Sequence, residues 1–239
     1  MRTTLEDLRV KIFADGADLR EMLEMHGKPY IKGLTTNPTL MRKAGVANYK
    51  GFAQEILARI RDKPVSFEVF SDEFPDMERQ ALEIASWGDN VYVKIPVTNT
   101  RGDPSYALVH RLASRGVKVN VTAIMTLPQV RNAVAALNPE VPSYVSVLAG
   151  RIADTGVDPI PFMSAAVCLV NTSPSAELIW ASPREVLNVL HAESVGCHVI
   201  TATGEILRKL PLLGRDLGEY SLDTVKMFYG DATAAGFTL

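Results

Sequence analysis

Long apolar runs are missing from this chain. None is long enough to cross a bilayer, and no secretory leader is visible at its start. Cysteine is nearly absent. Cys168 and Cys197 are the only two, both in apolar surroundings, and they read as core thiols rather than a disulfide framework. A soluble, cytoplasmic protein is the expectation. Neither sign of charge prevails: 25 Lys and Arg meet 27 Asp and Glu, for a formal net charge of -2. That argues against a nucleic-acid surface, and the basic stretch at 59–63 is interrupted by Asp62 and reads as a solvated helix end. The four histidines form no zinc motif, so no metal is expected. Neither G-x-G-x-x-G nor G-x-x-x-x-G-K-[ST] occurs, and there is no G-x-S-x-G elbow. Trp87, Tyr92 and Trp180 read as packing residues. No linker, repeat or low-complexity block divides the sequence.

What is present is one alternating pattern over 239 residues, 47% of them hydrophobic and 22% charged. Short β-branched runs at 10–15, 30–34, 65–70, 90–95, 117–122, 143–148, 177–181 and 198–201 predict strands. Helical patterns fall at 17–26, 48–61, 73–86, 104–114, 127–136, 159–170 and 183–192, then near 203–210 and 221–229. Eight strands with crossover helices predict a single (β/α)8 TIM barrel domain over 1–239, with 220–239 as C-terminal helix and tail. An open doubly wound sheet is the runner-up.

Side-chain parity sharpens this reading. In Val65-Ser66-Phe67-Glu68-Val69 the polar residues share one face and the apolar residues the other. Val91-Tyr92-Val93-Lys94-Ile95 repeats the arrangement, as do the runs holding Asn120 with Thr122 and Tyr144 with Ser146. The valines suit the layer beneath the outer helices. The polar set then faces the barrel interior, where an unpaired group costs about 2–7 kcal/mol unless it lines a wet mouth. Lys94 stands out because Pro96 follows closely and holds Ile95 extended. A held amine beside carboxylates can attack a ketone and form a Schiff base. The plain alternative is a lysine whose stem crosses apolar surface while its head reaches water.

The stretches Phe13-Ala14-Asp15, Gly33-Leu34-Thr35-Thr36-Asn37-Pro38, Val93-Lys94-Ile95-Pro96, Asn120-Val121-Thr122, Gly150-Arg151-Ile152 and Ala181-Ser182-Pro183-Arg184 run in order through nearly the whole chain. In this the sequence resembles the transaldolases and the related fructose-6-phosphate aldolases. The resemblance implies a class I aldolase barrel that needs no cofactor, with Lys94 as Schiff-base former and Asp15 as the acid/base at the bound ketose. Glu68 and Thr122 correspond to the pair that holds a catalytic water, and Asn37 and Ser146 to residues around the substrate hydroxyls. Arg151 corresponds to the main phosphate ligand, and Ser182 and Arg184 fall at the second phosphate-binding stretch. Thr35 and Asn120 complete the expected substrate-binding set.

Residue chemistry bears on these expectations. Ionised Asp15 or Glu68 would oppose loss of the lysine proton. Either the carboxylates keep a few ångströms away, or one is protonated when the amine attacks. Ser182-Pro183-Arg184-Glu185 also reads as a helix start, with Ser182 as N-cap and Glu185 closing a capping box. Asn37 could likewise cap the segment after Pro38. The implied reaction transfers a dihydroxyacetone unit between sugar phosphates, in the pentose phosphate pathway. Glu68 favours transaldolase, since the aldolase branch tends to carry glutamine there. Leu148 aligns instead with a family aromatic position. A non-catalytic sugar-phosphate sensor is the alternative of a different class. The resemblance also implies a homo-oligomer, a pentameric or decameric ring, whose tail covers a neighbouring subunit or the home barrel.

Overall fold

A computed structural model describes residues 5–238. The expected domain limits at residues 1–4 and at Leu239 lie outside the described residues. Eight parallel strands close in sequential order into a barrel: β1 (Lys11–Asp15), β2 (Ile31–Thr35), β3 (Val65–Glu68), β4 (Val91–Pro96), β5 (Val119–Ile124), β6 (Ser143–Val147), β7 (Ala176–Trp180) and β8 (Val199–Thr203). The TIM barrel reading therefore holds over the open sheet, because β1 pairs with β8 in unbroken register from Lys11↔Val199 to Asp15↔Thr203.

Several of the helices between them begin at a side-chain cap. α1 (Leu19–His26) starts at Asp18, whose carboxylate accepts from the Glu21 amide at 2.8 Å. Next come α2 (Pro38–Lys43), α3 (Tyr49–Arg59), α4 (Phe74–Ala85) and α5 (Tyr106–Ser114). α6 (Leu127–Ala136) opens on a full capping box between Thr126 and Gln129. α7 (Ala149–Asp154), α8 (Pro159–Val170), α9 (Leu187–Ser194), α10 (Gly204–Leu207) and α11 (Leu217–Ala234) complete the set. The short helices α2 and α7, following β2 and β6, were not among the expected elements. Each has only six residues, too few for a 3.6-residue period to show.

Parity sorts the core as the alternation predicts. Val65, Phe67, Val91, Val93, Ile95, Val119 and Val121 join the large cluster under the helices. Phe13, Tyr144, Ile179, Ala181 and Val199 form a second cluster that fills the barrel. Gly33 makes room for it: a Cβ there would lie 2.5 Å from the Phe13 ring.

Two local expectations fail. Ser182 is not a helix cap. Its φ is 57°, in the left-handed region, and Asn188 Oδ1 instead accepts from the amides of Arg184 (2.8 Å) and Glu185 (3.2 Å). The helix consequently starts at Leu187. Cys168 is exposed, while Cys197 is buried. α8 is apolar nearly all round, but its buried stripe is Met163, Ala166, Val167 and Val170, and Cys168 lies off it.

Candidate active site

The C-terminal ends of the strands surround a cleft of about 480 Å³, within the usual range for small-ligand sites. Asp15, Thr35, Asn37, Glu68, Lys94, Asn120, Thr122, Ser146, Arg151, Ser182 and Arg184, the whole set singled out from the sequence, line it. Strand register explains this meeting. Glu68 pairs with Lys94 across β3 and β4, and Lys94 with Asn120 across β4 and β5, so three inward side chains share one level.

Lys94 is only 7% exposed, which excludes a side chain reaching for bulk water. Its Nζ stands 2.9 Å from Glu68 Oε2 and donates to the Thr36 carbonyl at 2.8 Å. Glu68 is thus in direct ion contact, and the separation anticipated between carboxylate and amine is not kept there. Asp15 forms no ion pair with Lys94 among the described residues, and the lysine acts on it only through the field. Burial pushes its carboxyl above the ordinary value of 3.8, against the opposing pull of Lys94 and of the Thr35 hydrogen bond, with Glu68 adding repulsion. Thr35 Oγ1 donates to Asp15 Oδ1 at 2.7 Å and lies 2.6 Å from Thr201 Oγ1. A hydroxyl has one proton to give, so Thr201 must be the donor to Thr35.

Below the cleft, Asn120 is fully buried. Its amide donates to Ser66 Oγ at 3.1 Å, and its carbonyl accepts from Ser146 Oγ at 2.7 Å. This network satisfies the polar layer beside Lys94 and fixes the orientation of Ser146. Asn37 Oδ1 caps α2 by accepting from the Leu40 amide at 2.9 Å, which leaves its Nδ2 for the cleft. Thr122 is buried, one residue before Ala123.

Ala123 (φ 63°) and Ser182 (φ 57°) are the only non-glycine residues with positive φ among the described residues, and both line this cleft. Such backbone costs of order 1–3 kcal/mol per residue and persists where surroundings enforce it, often at functional sites. At Gly150 a Cβ would fall 1.5 Å from the Ser182 carbonyl oxygen, so the α7 turn and the β7 loop meet backbone to backbone.

The two arginines differ. Arg184 makes a two-pronged ion pair with Asp154, with Nε at 2.8 Å from Oδ1. Arg151 has no ion pair among the described residues and borders the same cleft. No group of three or more His, Cys, Asp or Glu among the described residues is placed to hold a metal ion.

Three residues escaped the sequence reading. Thr201 lines the cleft, and the inward parity of Thr201 with Thr203 could have signalled it. Lys43, at the end of α2, also lines it. Tyr49 had no signal. Its hydroxyl donates to the Glu68 carbonyl at 2.7 Å and accepts from the Glu68 amide at 2.9 Å. The β2–β3 register extends only to Thr35↔Ser66, so at Glu68 this flank of β3 has no strand partner. The Tyr49 phenol takes the place of one. Burial raises its pKa, which keeps the donor proton in place.

Comparison with known proteins agrees with this geometry. A family model described as transaldolase/fructose-6-phosphate aldolase matches residues 12–238. A probable transaldolase of Thermoanaerobacter sp. (strain X514) is 34% identical over 202 residues, 84% of this chain and 89% of its own. Probable transaldolase 2 of Listeria monocytogenes serovar 1/2a is 35% identical over 202 residues, 84% and 88% of the two chains. A probable transaldolase of Methanococcus maripaludis (strain C5 / ATCC BAA-1333) is 31% identical over 218 residues, 90% and 97% of the two. With a closed barrel, a buried lysine paired to a glutamate at its C-terminal mouth and a family match from the first strand to the tail, the chain belongs to the transaldolase/fructose-6-phosphate aldolase family.

Proposed function

We propose that this chain is a transaldolase that moves a dihydroxyacetone unit between sugar phosphates through a Schiff base on Lys94. The observation that carries the reading is the Lys94 amine, 7% exposed and 2.9 Å from a carboxylate inside an open-mouthed cleft. Glu68 takes a proton from the ammonium, directly or through water held with Thr122. The free amine adds to the C2 ketone of a ketose phosphate such as fructose 6-phosphate. Glu68 then returns a proton to the carbinolamine hydroxyl, which leaves as water and forms the iminium. Asp15 removes the C4 hydroxyl proton as the C3–C4 bond breaks, and the bond electrons pass into the iminium to give an enamine. The aldose phosphate departs, an acceptor aldehyde takes its place, and the steps reverse.

Asn37 Nδ2 and Ser146 face the substrate hydroxyls in this scheme, beside Thr35 and Asn120. Arg151, which forms no ion pair among the described residues and feels Asp154 only through its field, takes the phosphate. Arg184 and Ser182 stand at its far edge, and Arg184 would have to share its guanidinium with Asp154. One feature favours the aldolase reading: Leu148 lines the cleft at the family's aromatic position. A smaller wall there admits water more readily, and water that protonates the enamine releases free dihydroxyacetone. Incubation with fructose 6-phosphate and borohydride should fix a three-carbon adduct on Lys94 that K94A lacks. Reversible binding without an adduct would establish a sensor. Product formation only when erythrose 4-phosphate is added supports transfer; free dihydroxyacetone without an acceptor supports the aldolase.

The exposure of α11 supports the homo-oligomer expected for the family. No residue of this 18-residue helix is buried, so it does not cover its own barrel. Leu222, Val225, Met227, Phe228 and Tyr229 are all more than half exposed. A second copy of the chain is the occupant this apolar helix fits.

A further inference from the structure

The opposite, N-terminal mouth of the barrel holds a second cavity of about 640 Å³. We propose that it binds a small molecule carrying a diphosphate or a comparably dense anionic group, at a site separate from the catalytic one. Five cationic side chains line it, Lys11, Lys32, Arg61, Lys63 and Lys118, against the three carboxylates Asp62, Asp89 and Glu177. The surplus is positive although the whole chain carries -2.

Two of the carboxylates are already engaged. Glu177 pairs with Lys11 at 2.6 Å and Asp62 with His26 at 2.7 Å. Lys32, Lys63 and Lys118 form no ion pair among the described residues. Their ammoniums donate to backbone carbonyls instead: Lys32 to Pro29 at 2.8 Å, Lys63 to His26 at 2.6 Å and Lys118 to Asp89 at 2.6 Å. The carbonyls fix the amines without neutralising them, and each ammonium has further protons to donate. Burial, with repulsion from Lys32, lowers the Lys63 pKa against the pull of Asp62, so these charges share one field.

The lysines come from the starts of different strands, and a single small ion would satisfy few of them at once. A diphosphate offers several oxygens and more than one charge, matched to lysine as a point-charge donor. The floor is aromatic. The Tyr92 and Tyr144 rings lie 4.4 Å apart, and Tyr144 meets Phe13 edge-on at 5.7 Å. This layer seals the mouth from the barrel interior and leaves the Tyr92 ring partly open beneath Lys118, whose amine is 5.8 Å from its centroid. The competing account is that the lysines only satisfy carbonyls near helix and loop ends.

Calorimetric titration of the full chain with inorganic pyrophosphate separates the two. The R151Q variant serves as background, because it removes the leading anion ligand of the catalytic cleft. We expect saturable binding of one pyrophosphate per chain that weakens as salt is raised from about 50 to about 200 mM. K32Q and K118Q should each weaken it about tenfold, and K32R should retain it within about twofold. Circular dichroism melts of each variant confirm an intact barrel. Absence of saturable binding at millimolar pyrophosphate overturns the proposal. So does binding that R151Q abolishes, or an equal loss in K32R and K32Q.

Discussion

Asp15 is a residue on which stability and chemistry pull apart. Its folded pKa lies above the unfolded value of 3.8 because burial disfavours the anion. In the window above pH 3.8 the unfolded chain therefore holds fewer protons than the native one, and stability falls as pH rises through the folded pKa. D15N removes that loss. We expect it to melt at a higher temperature than the parent at pH 8, with the gain shrinking towards pH 4, in fluorimetric melts at both pH values. Its turnover should fall about 10²- to 10⁴-fold, as for a lost acid/base group. Tyr49 gives a second residue-level expectation. Y49F deletes the hydroxyl that holds both backbone groups of Glu68. A buried hydrogen bond lost this way costs about 1–3 kcal/mol, so imine formation should slow about tenfold. If Tyr49 acts through Glu68, Y49F placed in an E68Q background should add almost nothing to the defect, as a double-mutant cycle of borohydride-trapping rates would reveal. Additive losses would assign Tyr49 to packing alone.

At the scale of elements, the loops above the barrel matter more than the strands below. The barrel strands were readable because alternation is a local signal: Ser66 with Glu68, and Tyr92 with Lys94, differ in parity from their valine neighbours. The additions at the mouth were not readable. α2 and α7 are short, Ala123 and Ser182 carry no sequence mark of positive φ, and the Ser182 stretch imitates a capping box that the fold does not use. Asn188, six residues beyond Ser182, takes over that task by bonding the Arg184 and Glu185 amides. The tight meeting of α7 with the β7 loop makes G150A a severe change. Its Cβ would stand 1.5 Å from the Ser182 oxygen, and neither side is a flexible side chain. We expect a loss of more than about 2 kcal/mol in urea unfolding, together with weaker sugar-phosphate binding, because Arg151 and Ser182 are both displaced.

For the whole molecule, the unburied α11 is the largest departure from a self-sufficient domain. Its apolar residues spread around the helix, and Phe228 and Leu222 are 62% and 53% exposed. The double substitution L222E/F228E should convert an assembly to monomers in light scattering after size exclusion, with each barrel still folded by circular dichroism. A parent that is already monomeric would dismiss the assembly. The two mouths of the barrel differ in kind. One is a polar cleft ringed by paired and hydrogen-bonded groups; the other is a cationic collar over an aromatic floor.

By itself the sequence determined the alternation of strands and helices, the inward parity of Glu68, Lys94, Asn120 and Ser146, and the order of motifs that marks the family. These are properties of neighbouring residues, and a period of two or a short motif carries them in full. Only the tertiary structure decided which groups touch. The Glu68–Lys94 contact, the Thr201–Thr35–Asp15 relay, the Tyr49 clamp and the ring of lysines at the lower mouth all join residues distant in the chain. Closure of the sheet sets those distances, and no local pattern encodes them.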